Sequence, residues 1–538
     1  MSEPRRIRVL ALGLALDEPE AVLRDRAAAV LGVASEEIRA LRVARRALDG
    51  RHRSDPRYVV HVDLAIDPTA RSRGLARALA AGRARELPPA ARFELDSFER
   101  SWRGRRAVVV GAGPAGLFAA LVLARHGVSV DLIDRGPGLR ERGRAVARFL
   151  RTREIDPERN LLFGEGGAGT YSDGKLYTRT EHALEEPILA ALVACGAPEA
   201  IAWDARAHIG TDRLHRVLPR LRAELESSGV RFHFGTRLES LIAGDAPPRR
   251  IRAVRTSAGE LRADAVILAP GHSARDTLRA LASQGVVARA KPFQLGVRVE
   301  HPQELVDRGR YGGDPPAVAA RLGPSYYALV ARGAPGRPGV HSFCMCPGGQ
   351  IVASVSEPGL LCTNGMSNSR HSSPYANAGL VVTVDPGDGA PFAGVALQEE
   401  LERRFYDAGG GGFRAPAQRL TDFRAGRESA SLGPTSYKLG VAPARIDALL
   451  PEWIRDALRG ALARFDRDIP GFVAEGQLVG IESRSSGAVR LARAPELRLA
   501  AGFANLLPVG EGAGYAGGIM SAAIDGARSA HALLQQRP

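Results

Sequence analysis

Along residues 7–14 apolar and polar side chains alternate, the two-residue period of a strand with one buried face. Glu20–Leu31 carries apolar positions at helical spacing, Ile38–Ala47 returns to a strand pattern, Asp49-Gly50 is a turn signal, and Tyr58–Ile66 is another strand. This βαββ order predicts a small α+β domain over residues 1–100, with Ala- and Arg-rich Thr69–Leu95 read as helix and linker. Near Arg103 the pattern changes. Ala107-Val-Val-Val is apolar throughout and reads as a strand. Residues 136–180 read as a charged helix followed by a glycine-rich loop, Thr211–Leu241 as a helix and the strand Val230–Phe234, and Ala263–Ala269 as a strand ending at Gly271. Residues 290–475 are rich in Gly and Pro, with strand-like positions at Val297, Val299, Ile351, Val352, Val355 and Val381–Val384. Asn505–Val509 is a short apolar run, and Ile519–Leu534 a helix. The expectation is an α/β chain. A Rossmann-like domain over 103–289 and 476–538 is interrupted by a β-rich cap at 290–475 and preceded by the small domain.

Chemistry enters at the strand from Ala107. It runs into Gly111-Ala-Gly113-Pro114-Ala115-Gly116, which opens a helix, and Val128-Ser-Val-Asp-Leu-Ile-Asp134 ends in an acid 23 residues after Gly111. Gly111 suits a tight turn, Gly113 lets backbone approach a pyrophosphate, and Gly116 lets helix and strand pack closely. The helix start offers N–H groups and a positive dipole end to phosphates, and Asp134 an acceptor to a ribose. Arg135 and Arg142 follow as candidate cationic neighbours of the same ligand. Far along the chain, Gly510-Glu511-Gly512-Ala513-Gly514-Tyr-Ala-Gly-Gly518 opens the last helix with no second acid-bearing strand after it. That is the pattern of a closing segment, in which Glu511 holds a ribityl chain and the helix start faces a flavin ring. A start near 111 and a stop near 511 favour FAD over a nicotinamide alone. NAD(P)H, if used, is then a transient reductant without a domain of its own.

Several ordered runs resemble the bacterial family of uncharacterised FAD-dependent dehydrogenases: Phe163-Gly-Glu-Gly166-Gly167-Ala-Gly169-Thr170-Tyr-Ser-Asp-Gly-Lys175-Leu, Gly271-His-Ser-Ala-Arg-Asp276, Cys344-Met-Cys-Pro-Gly-Gly349, Thr363-Asn-Gly-Met-Ser367, Gly480-Ile-Glu-Ser-Arg484-Ser-Ser486 and the closing segment. The resemblance covers nearly the whole chain and implies a two-domain flavoprotein of the glutathione-reductase-like FAD fold. It implies no substrate. The chain departs from the pattern at Asp134, where Glu is commoner, and at Pro270, where related flavoproteins usually carry Thr.

Gly169 to Lys175 fits the phosphate-loop spacing, but Leu176 stands where Ser or Thr must ligate magnesium, which excludes an ATP site. A glycine-rich loop from Gly164 to Gly174 can instead lie flat beside an isoalloxazine ring, with Gly166, Gly167, Gly169, Thr170 and Gly271 as further cofactor contacts. Lys175 is the tentative acid–base group, because an ammonium can change protonation where a guanidinium cannot. Lys438 has the same logic with less support, and an ordinary ion pair is the competing reading for both. Arg484 could neutralise a reduced flavin or clamp a substrate carboxylate, or form a salt bridge with Glu482. His272 could contact the cofactor or be a satisfied turn histidine. Cys344 and Cys346 read first as buried small hydrophobes and second as thiols exchanging electrons with flavin; no spacing completes a metal set.

Composition then bounds the setting. The chain has 538 residues, 45% apolar and 25% charged, enough for two or three domains. No apolar run has the length of a membrane span, and Val9–Leu16 reads as a strand rather than a signal-peptide core because no small-residue cleavage site follows. Four cysteines make no disulfide framework in a chain this long, so a reducing cytoplasm is expected. The formal charge is +15, yet of 74 basic residues only Lys175, Lys291 and Lys438 are lysines, which looks like compositional bias. Residues 1–106 hold 22 arginines against 15 acids, with Arg39, Arg42, Arg45, Arg46, Arg51, Arg53 and Arg57 crowded together. A solvated hairpin is the favoured reading of that segment, and a docking arm for RNA the rival. The expected protein is a soluble FAD-dependent oxidoreductase acting on a small-molecule substrate. The alternatives are an RNA-binding flavoprotein modifying tRNA through residues 1–100, and a flavin-binding protein without catalysis.

Overall fold

In the computed structural model the described residues are 4–49, 56–67, 72–89, 91–176, 182–311 and 315–538. The small domain comprises β1 (Arg5–Ala15), α1 (Val22–Leu31), β2 (Ile38–Asp49), β3 (Arg57–Ile66), α2 (Arg73–Ala80) and β4 (Ala84–Glu86). Its antiparallel sheet has the order β2-β3-β1-β4. The expected βαββ unit is thus completed by a second helix and an edge strand, giving a split βαββαβ fold. Ile7, Val9, Val60, Val62, Leu64 and Ile66 pack beneath α1, while the alternate positions Arg8, His61 and Asp63 face the other way. Part of the arginine crowd is paired: Arg42 bonds Asp63 at 3.1 Å and Glu186 at 2.9 Å, and Arg46 bonds Glu20 at 2.8 Å. Gly50, Arg51 and Arg53 lie outside the described residues.

The second domain has the expected parallel sheet. Its order is Leu506–Pro508, Ala265–Leu268, β5 (Arg106–Val110), β6 (Ser129–Asp134), Val230–Phe234. Between β5 and β6 runs α3 (Pro114–Arg125), whose residues 115–124 are all buried because sheet and helices cover both sides. Helix Ile519–Leu534 lies against α3, and Gly526 is the point of closest approach: a methyl there would stand 1.9 Å from the Ala115 carbonyl oxygen.

The cap is a seven-stranded sheet in the order Val330–Ala331, Val340–Cys346, Tyr375–Val384, Phe293–Pro302, Gln477–Glu482, Ala415–Arg419, Val441–Pro443. Strand Gln477–Glu482 therefore belongs to the cap, not to the Rossmann-like domain as the boundary at 476 had it. Its six residues are all buried, so their local pattern could not say which sheet claims them. Ala288–Ala290 and Val489–Leu491 pair as a two-stranded hinge between the domains. Val355 is buried but outside any strand, and Gly409–Gly412 is a surface turn whose Gly412 N–H donates to the Tyr406 hydroxyl at 3.2 Å. No helix among the described residues is long and apolar enough to cross a membrane.

Candidate cofactor cleft and active site

The two distant glycine segments meet in one place. A methyl on Gly510 would lie 2.8 Å from Ala115 Cβ, one on Gly167 3.1 Å from Gly113 Cα, and one on Gly512 2.7 Å from the Gly271 backbone. Gly111 has φ +107°, and a side chain there would strike the Ala269 carbonyl at 2.1 Å; one on Gly116 would strike the Gly111 carbonyl at 1.9 Å. Gly113 differs: a methyl there meets only Gly167 Cα, at 3.9 Å, so its open side faces the cleft. Pro114 sits at the first helical position, where its missing N–H costs nothing. The glycine-rich loop is tied to this turn through Gly166 N–H, which donates to the Ala112 carbonyl at 2.9 Å. Gly169 lies against Ile519 at the start of the last helix, so the loop touches both helix starts. The closing segment is internally bonded, Gly514 N–H to the Glu511 carbonyl at 2.9 Å and Tyr515 N–H to the Gly510 carbonyl at 3.0 Å, and the Leu491 N–H donates to the carbonyl of buried Ala513 at 3.2 Å.

Three expected cofactor contacts have other partners. Asp134 is buried and both its oxygens accept backbone N–H groups: Ala112 at 2.7 Å, Gly136 at 2.8 Å and Gly164 at 2.8 Å. The acid thus holds the two glycine turns together. Burial pushes its pKa up against those three hydrogen bonds. Arg142 is wholly buried behind the loop, donating to the Asn160, Leu161 and Glu165 carbonyls and to the Thr170 hydroxyl. Arg135 is paired with Glu158 and, at 2.7 Å, with Asp276. One methylene less than Glu is a physical reason for the Asp134 finding, since the short side chain keeps the carboxylate close to its own turn.

Among the described residues no hydrogen bond holds the Glu511 carboxylate, which faces the His272 imidazole and Lys291. The Glu511 side chain is 24% exposed, and burial pushes it up to about 7. His272 Nε2 bonds the Arg484 carbonyl at 2.9 Å, which makes that nitrogen the N–H and turns the Nδ1 lone pair toward Glu511 Oε2 at 3.7 Å. Burial, then Arg484, pushes His272 down to about 4, so it is neutral. Lys291 Nζ donates to the Gly487 carbonyl at 3.1 Å and faces Glu511 electrostatically. Among the described residues the buried Ser273 hydroxyl has no partner. An open glycine face, two helix starts and the Glu511 carboxylate fit a dinucleotide with a polyol chain.

Lys175 projects from the end of the glycine loop into the cap. Its ammonium pairs with Asp173 at 3.2 Å and donates to the Met345 carbonyl, while Asp173 accepts from the Ser367 hydroxyl. Both are largely enclosed. Beside them Arg298, wholly buried, bonds Glu482 at 2.8 Å, Asn377 at 2.8 Å and the Cys344 carbonyl at 2.9 Å. Glu482 therefore pairs with Arg298 and not with Arg484. Burial pushes the Cys346 thiol up to about 12, so it is a protonated core group, its Sγ donating to the Cys344 carbonyl at 3.3 Å. Cys344 is half-exposed with φ +47° at a break in strand pairing, a strained position of the kind found at functional sites. Lys438 is exposed.

Arg484 has a structural task. It bonds Glu402 at 2.7 and 3.0 Å, Glu357 at 2.7 Å and Ser356 at 3.2 Å, while Arg275 of the cofactor domain bonds the same Glu402 at 2.8 and 2.9 Å. Glu402 is fully buried between two guanidinium groups, which outweigh desolvation and hold it down to about 2. Neither Glu402 nor Arg298 was among the residues singled out from sequence. The missed signal for Arg298 was a charge inside an apolar strand, between Val297 and Val299, whereas Glu402 gave none, because Glu399, Glu400, Arg403 and Arg404 surround it in its helix.

This cleft, and the sequences that match around it, define an FAD-dependent oxidoreductase. Residues 105–284 match the model of an FAD binding domain, 292–485 that of an FAD-dependent protein, C-terminal domain-like, and 6–65 a domain of unknown function. An uncharacterised protein of Clostridium beijerinckii is 36% identical over 98% of this chain and 99% of its own, and the chain belongs to that protein's family of FAD-dependent proteins. A kynurenine 3-monooxygenase of Salinispora arenicola is 33% identical over 31% of this chain and 36% of its own. Among solved structures, CtdE in complex with FAD aligns with 79% of this chain and 83% of its own at 12% identity and a TM-score of 0.31.

Proposed function

We propose that the protein transfers a hydride between FAD and a small-molecule substrate held where the 164–175 loop meets the cap. The cofactor domain is read as glutathione-reductase-like, and four free cysteines support a cytoplasmic setting. FAD supplies the two-electron chemistry; the chain supplies position, exclusion of water and protons. The turn at Gly111–Gly116 and the start of α3 receive the pyrophosphate, and Glu511 accepts from the ribityl hydroxyls. Asp134, held on three backbone N–H groups, keeps both glycine turns in register. Lys175 is the proton-holding group beside the substrate, oriented by Asp173. The observation that carries this reading is that residues near 113, 167 and 510–512 share one cleft, from which the same loop delivers Lys175 to the cap.

Purified protein is expected to be yellow, to bleach under anaerobic NADH or NADPH, and to recover its colour with the true acceptor. Lys175→Ala should keep the flavin spectrum and lose roughly 10²–10⁴-fold in turnover, the usual range for a positioned proton donor. A colourless protein that takes up no FAD on reconstitution overturns the reading. A yellow Lys175→Ala variant with unchanged turnover removes the lysine from it.

A further inference from the structure

A second cleft lies behind the cofactor domain, away from the hinge and the glycine loop. It encloses about 600 Å³ between the turn His182–Leu184, the turn Pro495–Arg498 and the last helix at Arg528–Gln535. Four basic side chains, Arg498, Arg528, His182 and His531, line it against one acid, the exposed Glu496, among the described residues. Arg528 makes no ion pair among the described residues. His182 Nδ1 accepts the Leu184 N–H at 3.1 Å, so its Nε2 carries the proton and is a donor. His531 bonds the Phe93 carbonyl through Nε2 at 2.6 Å. Arg498 is buried at φ +60°, a backbone conformation held only by its surroundings. Burial outweighs the pull of Asp525 and, with Arg493 and Arg528, holds Arg498 down to about 10. Burial likewise lowers His182 and His531, so both imidazoles are uncharged near pH 7 and the positive charge of the cleft lies on Arg498 and Arg528.

Arg498 is also wired to the cofactor. It bonds Asp525 and, at 2.8 Å, the Ser529 hydroxyl. Asp525 accepts the Gly510 N–H at 2.8 Å and both ends of Arg493, at 2.7 and 3.0 Å. Arg493 in turn donates to the Pro508 carbonyl at 2.6 Å and stacks 3.6 Å from the Tyr515 ring. One carboxylate therefore fixes the start of the FAD-closing segment directly, and both its flanks through Arg493.

We propose that this cleft binds a small anion bearing a phosphate or carboxylate group, and that its occupancy changes FAD affinity through Arg498, Asp525 and the Gly510 N–H. An anion that draws Arg498 toward Arg528 loosens its hold on Asp525, and Asp525 then settles onto Gly510 and Arg493. Coupling of this kind is reciprocal, so FAD and the anion alter each other's affinity by one factor.

The test uses the full chain, titrated with inorganic phosphate or with citrate at ionic strength held constant by sodium chloride. Thermal stability of the holoprotein and FAD affinity of the stripped protein are both read. A saturable rise in stability is expected for the wild type and not for Arg528→Gln, whose exposed side chain can change without unfolding the protein. FAD affinity should change at least threefold between no anion and saturation. Asp525→Asn should still bind the anion while FAD affinity no longer responds. A linear response that chloride reproduces, or an Arg528→Gln variant that behaves as wild type, overturns the site. A saturable site with unchanged FAD affinity overturns the wire. Phosphate against citrate separates the two ligand classes, and failure of FAD binding itself would show as missing flavin absorbance at every anion concentration.

Discussion

Glu402 shows how much can rest on one side chain. It lies between Arg275 of the cofactor domain and Arg484 at the end of a cap strand, and all three are buried. Replacing a buried ion pair by apolar residues is often neutral, but removing one partner leaves a charge stranded. Glu402→Ala strands two guanidinium groups and should cost about 3–5 kcal/mol, read as a lowered midpoint in urea unfolding. The sign of its pH dependence follows from the same geometry. Its folded value of about 2 lies below the ordinary 4.5, so its contribution is complete above about pH 4.5 and is lost as pH falls toward 2. Wild-type stability should therefore fall through that window, and Glu402→Gln should fall less steeply. Equal slopes would show that other carboxylates carry the acid response.

At the scale of elements, the glycines separate folding from cofactor binding. Gly111 combines a left-handed φ with a side-chain position inside the Ala269 carbonyl, so Gly111→Ala should not fold to a stable protein. Gly113 has φ −79°, and only one atom within 4 Å of an added methyl. Gly113→Ala should keep the FAD-free protein within about 1 kcal/mol of wild type. The methyl then occupies the space a pyrophosphate needs, and FAD affinity, read by quenching of flavin fluorescence, should drop at least tenfold. If both variants lose stability alike, the cleft is not where the cofactor lies. This element was legible in the sequence because each requirement is local: turn, helix start and acid fall within one βαβ unit. The last helix, Ile519–Leu534, was readable for the same reason. Strand Gln477–Glu482 was not, since its neighbours lie at 293–302 and 415–419 and its own residues are buried on both faces. Asp134 was found, but its hold on three backbone N–H groups was not, because such bonds leave no trace in spacing. Lys291 stood out only as one of three lysines, and only folding brings it to Glu511.

For the whole molecule the question is how a small basic domain is attached to a flavoprotein. The edge strand β2 provides the joint. Arg46 N–H donates to the Trp203 carbonyl at 2.7 Å and the Ala205 N–H to the Arg46 carbonyl at 3.0 Å, so cofactor-domain backbone extends the sheet and covers its edge. The Arg46 guanidinium then lies 3.9 Å from the Trp203 ring and 5.0 Å from Tyr58, a cation between two aromatic faces. Arg42 and Glu186 close the joint at 2.9 Å. Arginines that suggested a polyanion partner thus partly hold the domain to its own chain. A joint made of two backbone bonds, one stacked cation and one exposed ion pair is small, and its loss should free the domain without emptying the cofactor cleft. Trp203→Ala removes the ring but leaves both backbone bonds, and a desolvated cation–π contact is worth about 2 kcal/mol. Limited proteolysis should therefore cut residues 87–99 roughly ten times or more faster in Trp203→Ala than in wild type, while flavin absorbance stays unchanged. Equal cutting rates would mean that the backbone bonds and Arg42 suffice. Joint loss of flavin would mean that the small domain helps to shape the cleft.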